Sequence, residues 1–100
     1  MHLLVSKIEL DDEDGLLDRR DAKQITLKIS QKFKVICKPL EKSETTNYLV
    51  VSCLGYSHEN LNKKIDEICE YIEVSGYSRV TGESTFLDHI DNLFDASFEE

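Results

Sequence analysis

No apolar run in this 100-residue sequence approaches the roughly 18 residues that a membrane-spanning helix requires. The opening MHLLVSKIEL is too short and too soon broken by charge for a secretory signal. A soluble, cytoplasmic chain is expected, with no membrane partner. Cysteine is sparse: Cys37, Cys53 and Cys69 are odd in number, far apart and without a CxxC pair. Neither a disulfide framework nor a zinc site is indicated, and three buried, reduced thiols are expected. P-loop, HExxH and GxSxG patterns are all missing. Cys53 and His58 are close enough in sequence to suggest a nucleophile and base. Cys53 falls inside an apolar strand, however, and catalysis would need it exposed in a cleft beside an oxyanion donor. His2 and His89 are far apart in sequence, so no metal or cofactor is implied. The reading is therefore non-enzymatic, with a small enzyme kept as an alternative class.

Cations are also in short supply. The net charge is −8, and residues 41–100 carry four Lys/Arg against thirteen Asp/Glu, or −9. Residues 1–40 carry eight against seven, or +1, and within them residues 19–38 hold seven cations against Asp21 alone, or +6. A locally basic element thus sits on an acidic body. General affinity for nucleic acid is disfavoured, because that affinity comes from neutralising many phosphates together. A directed contact by Arg19, Arg20 and Lys23 with an anion or a partner remains, since the guanidinium fork suits phosphate or carboxylate. The competing reading pairs Arg19 and Arg20 with the acidic loop Asp11 to Asp14 or with Asp18 and Asp21, a screened surface network.

The chain is long enough for one core. LLVSKIEL reads as a strand with Leu4, Ile8 and Leu10 on one face and Leu3 and Val5 on the other. A helix is predicted from about Leu17 to Lys32, with Ala22, Ile25, Ile29 and Phe33 as its buried stripe and Leu27 nearly opposite it. KFKVICKPL is a second strand, placed at an edge or a strand end by Pro39. NYLVVSCLGY is a third, central strand. Ser57 caps a second helix from His58 to about Val74, striped by Leu61, Ile65, Ile68 and Ile72 and ended by Gly76. YSRVTGE is a weak fourth strand. From Thr85 to about Ala96 the spacing of Phe86, Leu87, Ile90, Leu93 and Phe94 predicts an amphipathic helix, with Thr85 and Asp88 as a capping box.

The order β-α-β-β-α-β with right-handed crossovers implies an α+β, ferredoxin-like fold: an antiparallel four-stranded sheet with both helices on one face. Residues 1–84 would form that domain, and 85–100 a helical extension. The inner strands are apolar on both faces, so something should cover the face away from the helices. The candidates are the terminal helix, docking through Phe86, Leu87, Ile90, Leu93 and Phe94 or against Leu27, and a second chain in a homodimer.

The stretches GLLDRRDAKQ, KFKVICKPL, YLVVSCLGYSHENL and IDEICEYIEVSG together resemble the YlxP-like bacterial proteins, a family classed as a domain of unknown function, over residues 3–82. The family's basic motif at the start of the first helix is incomplete here. Leu17 stands where its first lysine would be, and Arg19 and Arg20 carry over as cations. The acidic loop and the amphipathic tail depart from the pattern. The resemblance implies the ferredoxin-like fold, a bacterial cytoplasmic setting and a protein partner among ribosome-maturation or translation factors. A binding module acting through protein surfaces is the expectation, and an RNA-binding accessory protein using Arg19, Arg20 and Lys23 is the alternative.

Overall fold

A computed structural model of the protein describes residues 1–11, 19–39 and 48–92, and for residues 19–21 the backbone only. The elements are β1 (His2–Leu10), α1 (Arg19–Phe33), β2 (Ile36–Pro39), β3 (Tyr48–Gly55), α2 (His58–Val74) and β4 (Val80–His89). The fold is α+β, with one four-stranded sheet in the order β2-β3-β1-β4 and every neighbouring pair antiparallel.

The alternation of β1 divides the molecule. Leu4, Ile8 and Leu10 are buried with Leu49, Val51, Cys53 and Cys37 on one side of the sheet, where they form a single core with Ile25 and Ile29 of α1 and Leu61, Ile65, Ile68 and Ile72 of α2. Both helices therefore cover that side. Each helix contributes a stripe at spacings of three and four, which is what one buried face of a 3.6-residue period requires. The Ser57 hydroxyl accepts the Asn60 amide at the start of α2, and Gly76, at φ 79°, takes the left-handed conformation just beyond its end. At the close of β3 a side chain on Gly55 would meet Leu61 at 2.9 Å, so glycine lets α2 seat directly on the strand.

The sequence expectation fails at the C-terminal side. β4 is ten residues long and runs through Thr85, Phe86 and Leu87 to His89, where a helix was expected from Thr85. Helix begins at residue 90 and holds to 92, the last of the described residues. The division expected between residues 84 and 85 falls inside this strand. Two contacts explain the outcome. β1 has β3 on one side and needs a second ladder partner on the other, and Ser6, fully buried on β1, needs an acceptor or donor for its hydroxyl. Thr85 supplies it, Oγ1 lying 3.0 Å from Ser6 Oγ, so the residue expected to cap a helix instead satisfies a buried polar group across the sheet. The residues expected from Leu93 onward in the same helix lie outside the described region.

The strand expected from Lys32 begins later, at Ile36, because α1 runs on to Phe33 and the chain then turns sharply. Lys34 makes that turn at φ 55°, and the Val35 amide returns to the Ser30 carbonyl at 3.3 Å. This is the six-to-one closure that glycine usually serves. A side chain at this conformation costs energy, so Lys34→Gly is expected to stabilise the protein by about 0.5–1 kcal/mol. Urea unfolding checks this. A loss of stability would mean that the lysine side chain contributes more than its backbone conformation costs.

Candidate functional site

The side of the sheet away from the helices is the most extensive candidate surface. In β1 it presents Leu3, Val5, Lys7 and Glu9. The strand register sets Leu54 opposite Leu3, Ser52 and Phe86 opposite Val5, and Val50 and Ser84 opposite Lys7, while Ile36 pairs with Ser52. Ile36 is 65% exposed, Leu54 53% and Phe86 50%. Together with half-buried Leu3, Val5 and Val50 they form an apolar cluster toward one end of the face. The other end is polar: Lys7 stands over the Tyr48 ring at 4.6 Å, beside Glu9 and Lys38. Leu3, Ile36, Ser52 and Leu54 also line a groove of about 630 Å³ that takes in Val35 and Cys53 and has Lys34 at its rim.

The residues singled out in the sequence are dispersed rather than brought together. Arg19 and Arg20 open α1, but their side chains, and the acidic stretch from Asp12 to Asp18, lie outside the described residues. Lys23 is exposed and lines a separate groove of about 340 Å³ between α1 and β2, with Leu27, Thr26, Ser30 and Lys38. Leu27 is 59% exposed. Phe86 and Leu87 do not share a face. In a strand, neighbours point to opposite sides, so Phe86 joins the open face while Leu87 packs on the core beside Leu4. Ile90 is half-buried, its amide donating to the Met1 carbonyl at 3.0 Å. Leu93 and Phe94 are outside the described residues.

Sequence reasoning missed one constellation entirely. All three histidines meet at the end of the sheet where α2 begins. The rings of His2 and His58 are 4.1 Å apart and those of His2 and His89 5.0 Å, both edge to face. His89 Nε2 lies 3.3 Å from the Met1 nitrogen, and its Nδ1 lies 3.5 Å from Asp91. The register His2↔His89 creates half of the cluster, and it became legible only once residues 80–89 were seen to be a strand. Among the described residues no three His, Cys, Asp or Glu side chains are placed to hold a metal ion.

Burial governs the chemistry of the ionisable groups. It pushes the Cys37 thiol up to about 12, with Lys38 opposing, and the Cys69 thiol up to about 11, with Glu83, Asp66 and Glu73 adding to the effect. Cys53 is raised by the same cause against the pull of Lys64. All three are free thiols held toward the neutral form, which is the weakly nucleophilic one. His58, the base that Cys53 would need, meets the His2 ring edge to face.

Desolvation, followed by His58, His89 and the Met1 amino group, holds the His2 imidazole below the usual histidine range, against a hydrogen bond to the Gly55 backbone. Its Nδ1 is shielded from water and has no hydrogen-bond partner among the described residues, so a proton there would have no acceptor. The described residues contain no helix long and apolar enough to cross a membrane. Compared with known proteins, the chain matches no family model and no curated relative.

The depressed His2 proton affinity has a definite consequence for stability. The unfolded chain takes up the proton at about pH 6.5 and the folded protein only at lower pH. The His2 contribution is therefore complete above about 6.5 and is lost as pH falls from there toward the folded value. The urea midpoint is expected to drop between about pH 7.5 and pH 5.5, above the carboxylate range, and to drop less in His2→Gln. An equal drop in both proteins would place the acid sensitivity elsewhere.

Proposed function

We propose that this protein is a non-enzymatic binding module of ferredoxin-like fold and YlxP-like kind, which engages a protein of the bacterial translation or ribosome-maturation apparatus through the open face of its sheet. The observation that carries this reading is the apolar cluster of Leu3, Val5, Ile36, Leu54 and Phe86. Exposed apolar groups gathered on one face, rather than scattered singly, are the usual mark of an interaction surface. The element order and the sheet order β2-β3-β1-β4 support the ferredoxin-like reading. The charge balance supports the class of partner. A chain of net charge −8, with −9 in residues 41–100, complements a basic protein and repels free RNA.

Capture from a bacterial lysate, with and without ribonuclease, tests this. The wild-type protein is expected to retain translation-associated proteins after ribonuclease treatment. Leu54→Asp, which buries a charge in the proposed contact, should reduce that retention at least tenfold, on the order of the 1.4 kcal/mol or more expected from such a substitution. Arg19→Glu/Arg20→Glu should leave it intact. Capture that is abolished by ribonuclease and by the arginine pair, and kept by Leu54→Asp, would favour an RNA-binding accessory protein instead.

A further inference from the structure

The two edges of the sheet differ in a way that identifies a second interaction surface. β2 is one edge. Its Ile36 and Lys38 pair with β3, so Cys37 and Pro39 turn their backbone groups outward. The Cys37 amide is taken by the Ser30 hydroxyl of α1 at 3.2 Å, and Pro39 has no N–H. This edge offers a neighbouring strand no donor among the described residues, which is how native proteins blunt an edge. β4 is the other edge. The Ile90 amide donates to the Met1 carbonyl, so the residues in step with it, Asp88, Phe86 and Ser84, face β1. Glu83, Thr85 and Leu87 therefore direct their N–H and C=O groups away from the sheet, and among the described residues nothing pairs with them. The His89 amide is closed by the Asp88 carboxylate at 2.7 Å, which ends the open run.

We propose that this outer edge of β4 seats a second copy of the chain, the two β4 strands pairing antiparallel about a two-fold axis at Phe86. The sequence of the strand is self-complementary in that register. Phe86 lies opposite its own copy in a non-hydrogen-bonded position, where side chains approach most closely. Thr85 and Leu87 exchange backbone hydrogen bonds, and the Glu83 amide faces the His89 carbonyl of the second copy. Glu83 falls opposite His89, and Asp88 opposite Ser84, so no like charges face each other. The two open sheet faces become continuous across Phe86, independently of what else binds there. Each copy carries −8, so added salt tightens the association rather than weakening it.

Sedimentation or light scattering of the full chain, read together with amide exchange, tests this. The wild-type protein should show twice the 11.5 kDa chain mass and dissociate on dilution. Glu83→Pro removes an outward donor without touching the β1 ladder, and Phe86→Glu sets two carboxylates face to face. Each should raise the dimer dissociation constant at least tenfold with the circular dichroism unchanged. The Thr85 and Leu87 amides should exchange slowly in the wild type, more slowly as concentration rises, and this measurement stands even if a variant fails to fold. A monomer at about millimolar concentration would overturn the proposal. So would slow exchange independent of concentration, which would mean that the chain covers its own edge. A dimer broken by Phe86→Glu but indifferent to Glu83→Pro would be joined through the sheet faces, and would overturn it equally.

Discussion

β1 sits between β3 and β4, and its two-residue alternation decides what is inside and what is outside. Leu4, Ile8 and Leu10 face the helices and are fully or almost fully buried. Leu3 and Val5 face the other way and are only half covered. Shifting this strand by one residue would exchange the two sets, so its register against β3 and β4 carries the whole arrangement. Ser6 makes the constraint sharper. It lies within the buried row, and its hydroxyl has Thr85 Oγ1 as its partner. A slipped β4 would leave that hydroxyl orphaned in the core, at a cost of about 1–3 kcal/mol.

The surfaces follow from this division. Two helices, α1 and α2, cover one face of a four-stranded sheet, and none of the described elements covers the other. The apolar end of that face collects residues from all four strands, so no single segment of sequence defines it. At the same end, on the helix side, the start of β1, the end of β4 and the first residue of α2 bring three histidines together. Acid is expected to weaken the fold there, because burial and the neighbouring imidazoles disfavour a charged His2.

Where local signals and tertiary packing agreed, the sequence was legible almost to the residue. α2 runs from His58 to Val74 because Ser57 caps it, Gly76 follows it and four apolar residues recur on one face between them. The faces of β3 were readable for a similar reason, since Leu49, Val51 and Cys53 alternate cleanly with Tyr48, Val50 and Leu54. Residues 85–89 were misread because Phe86, Leu87 and Ile90 satisfy a helical spacing, while the strand alternation is masked by Ser84 and Asp88 on one face and Thr85 and His89 on the other. Strand preference is set by the neighbours a residue finds across the sheet, and those neighbours are distant in sequence. The open face was anticipated as apolar, but which of Leu3 and Leu4, or Val35 and Ile36, would point outward waited on the register. The histidine cluster carried no local signal at all, its members being joined by pairing alone.

The claim on which this account turns is that the apolar residues of the open face contribute to contacts with other chains and little to the fold. Leu49 and Leu54 lie on the same strand, one fully buried and the other 53% exposed, and truncating each in turn tests the claim directly. By urea unfolding, Leu49→Ala is expected to cost about 2–5 kcal/mol, as for a fully packed core leucine. Leu54→Ala is expected to stay within about 0.5 kcal/mol of the unaltered protein. Equal losses at the two positions would mean that the protein buries this face within itself, and would contradict the account.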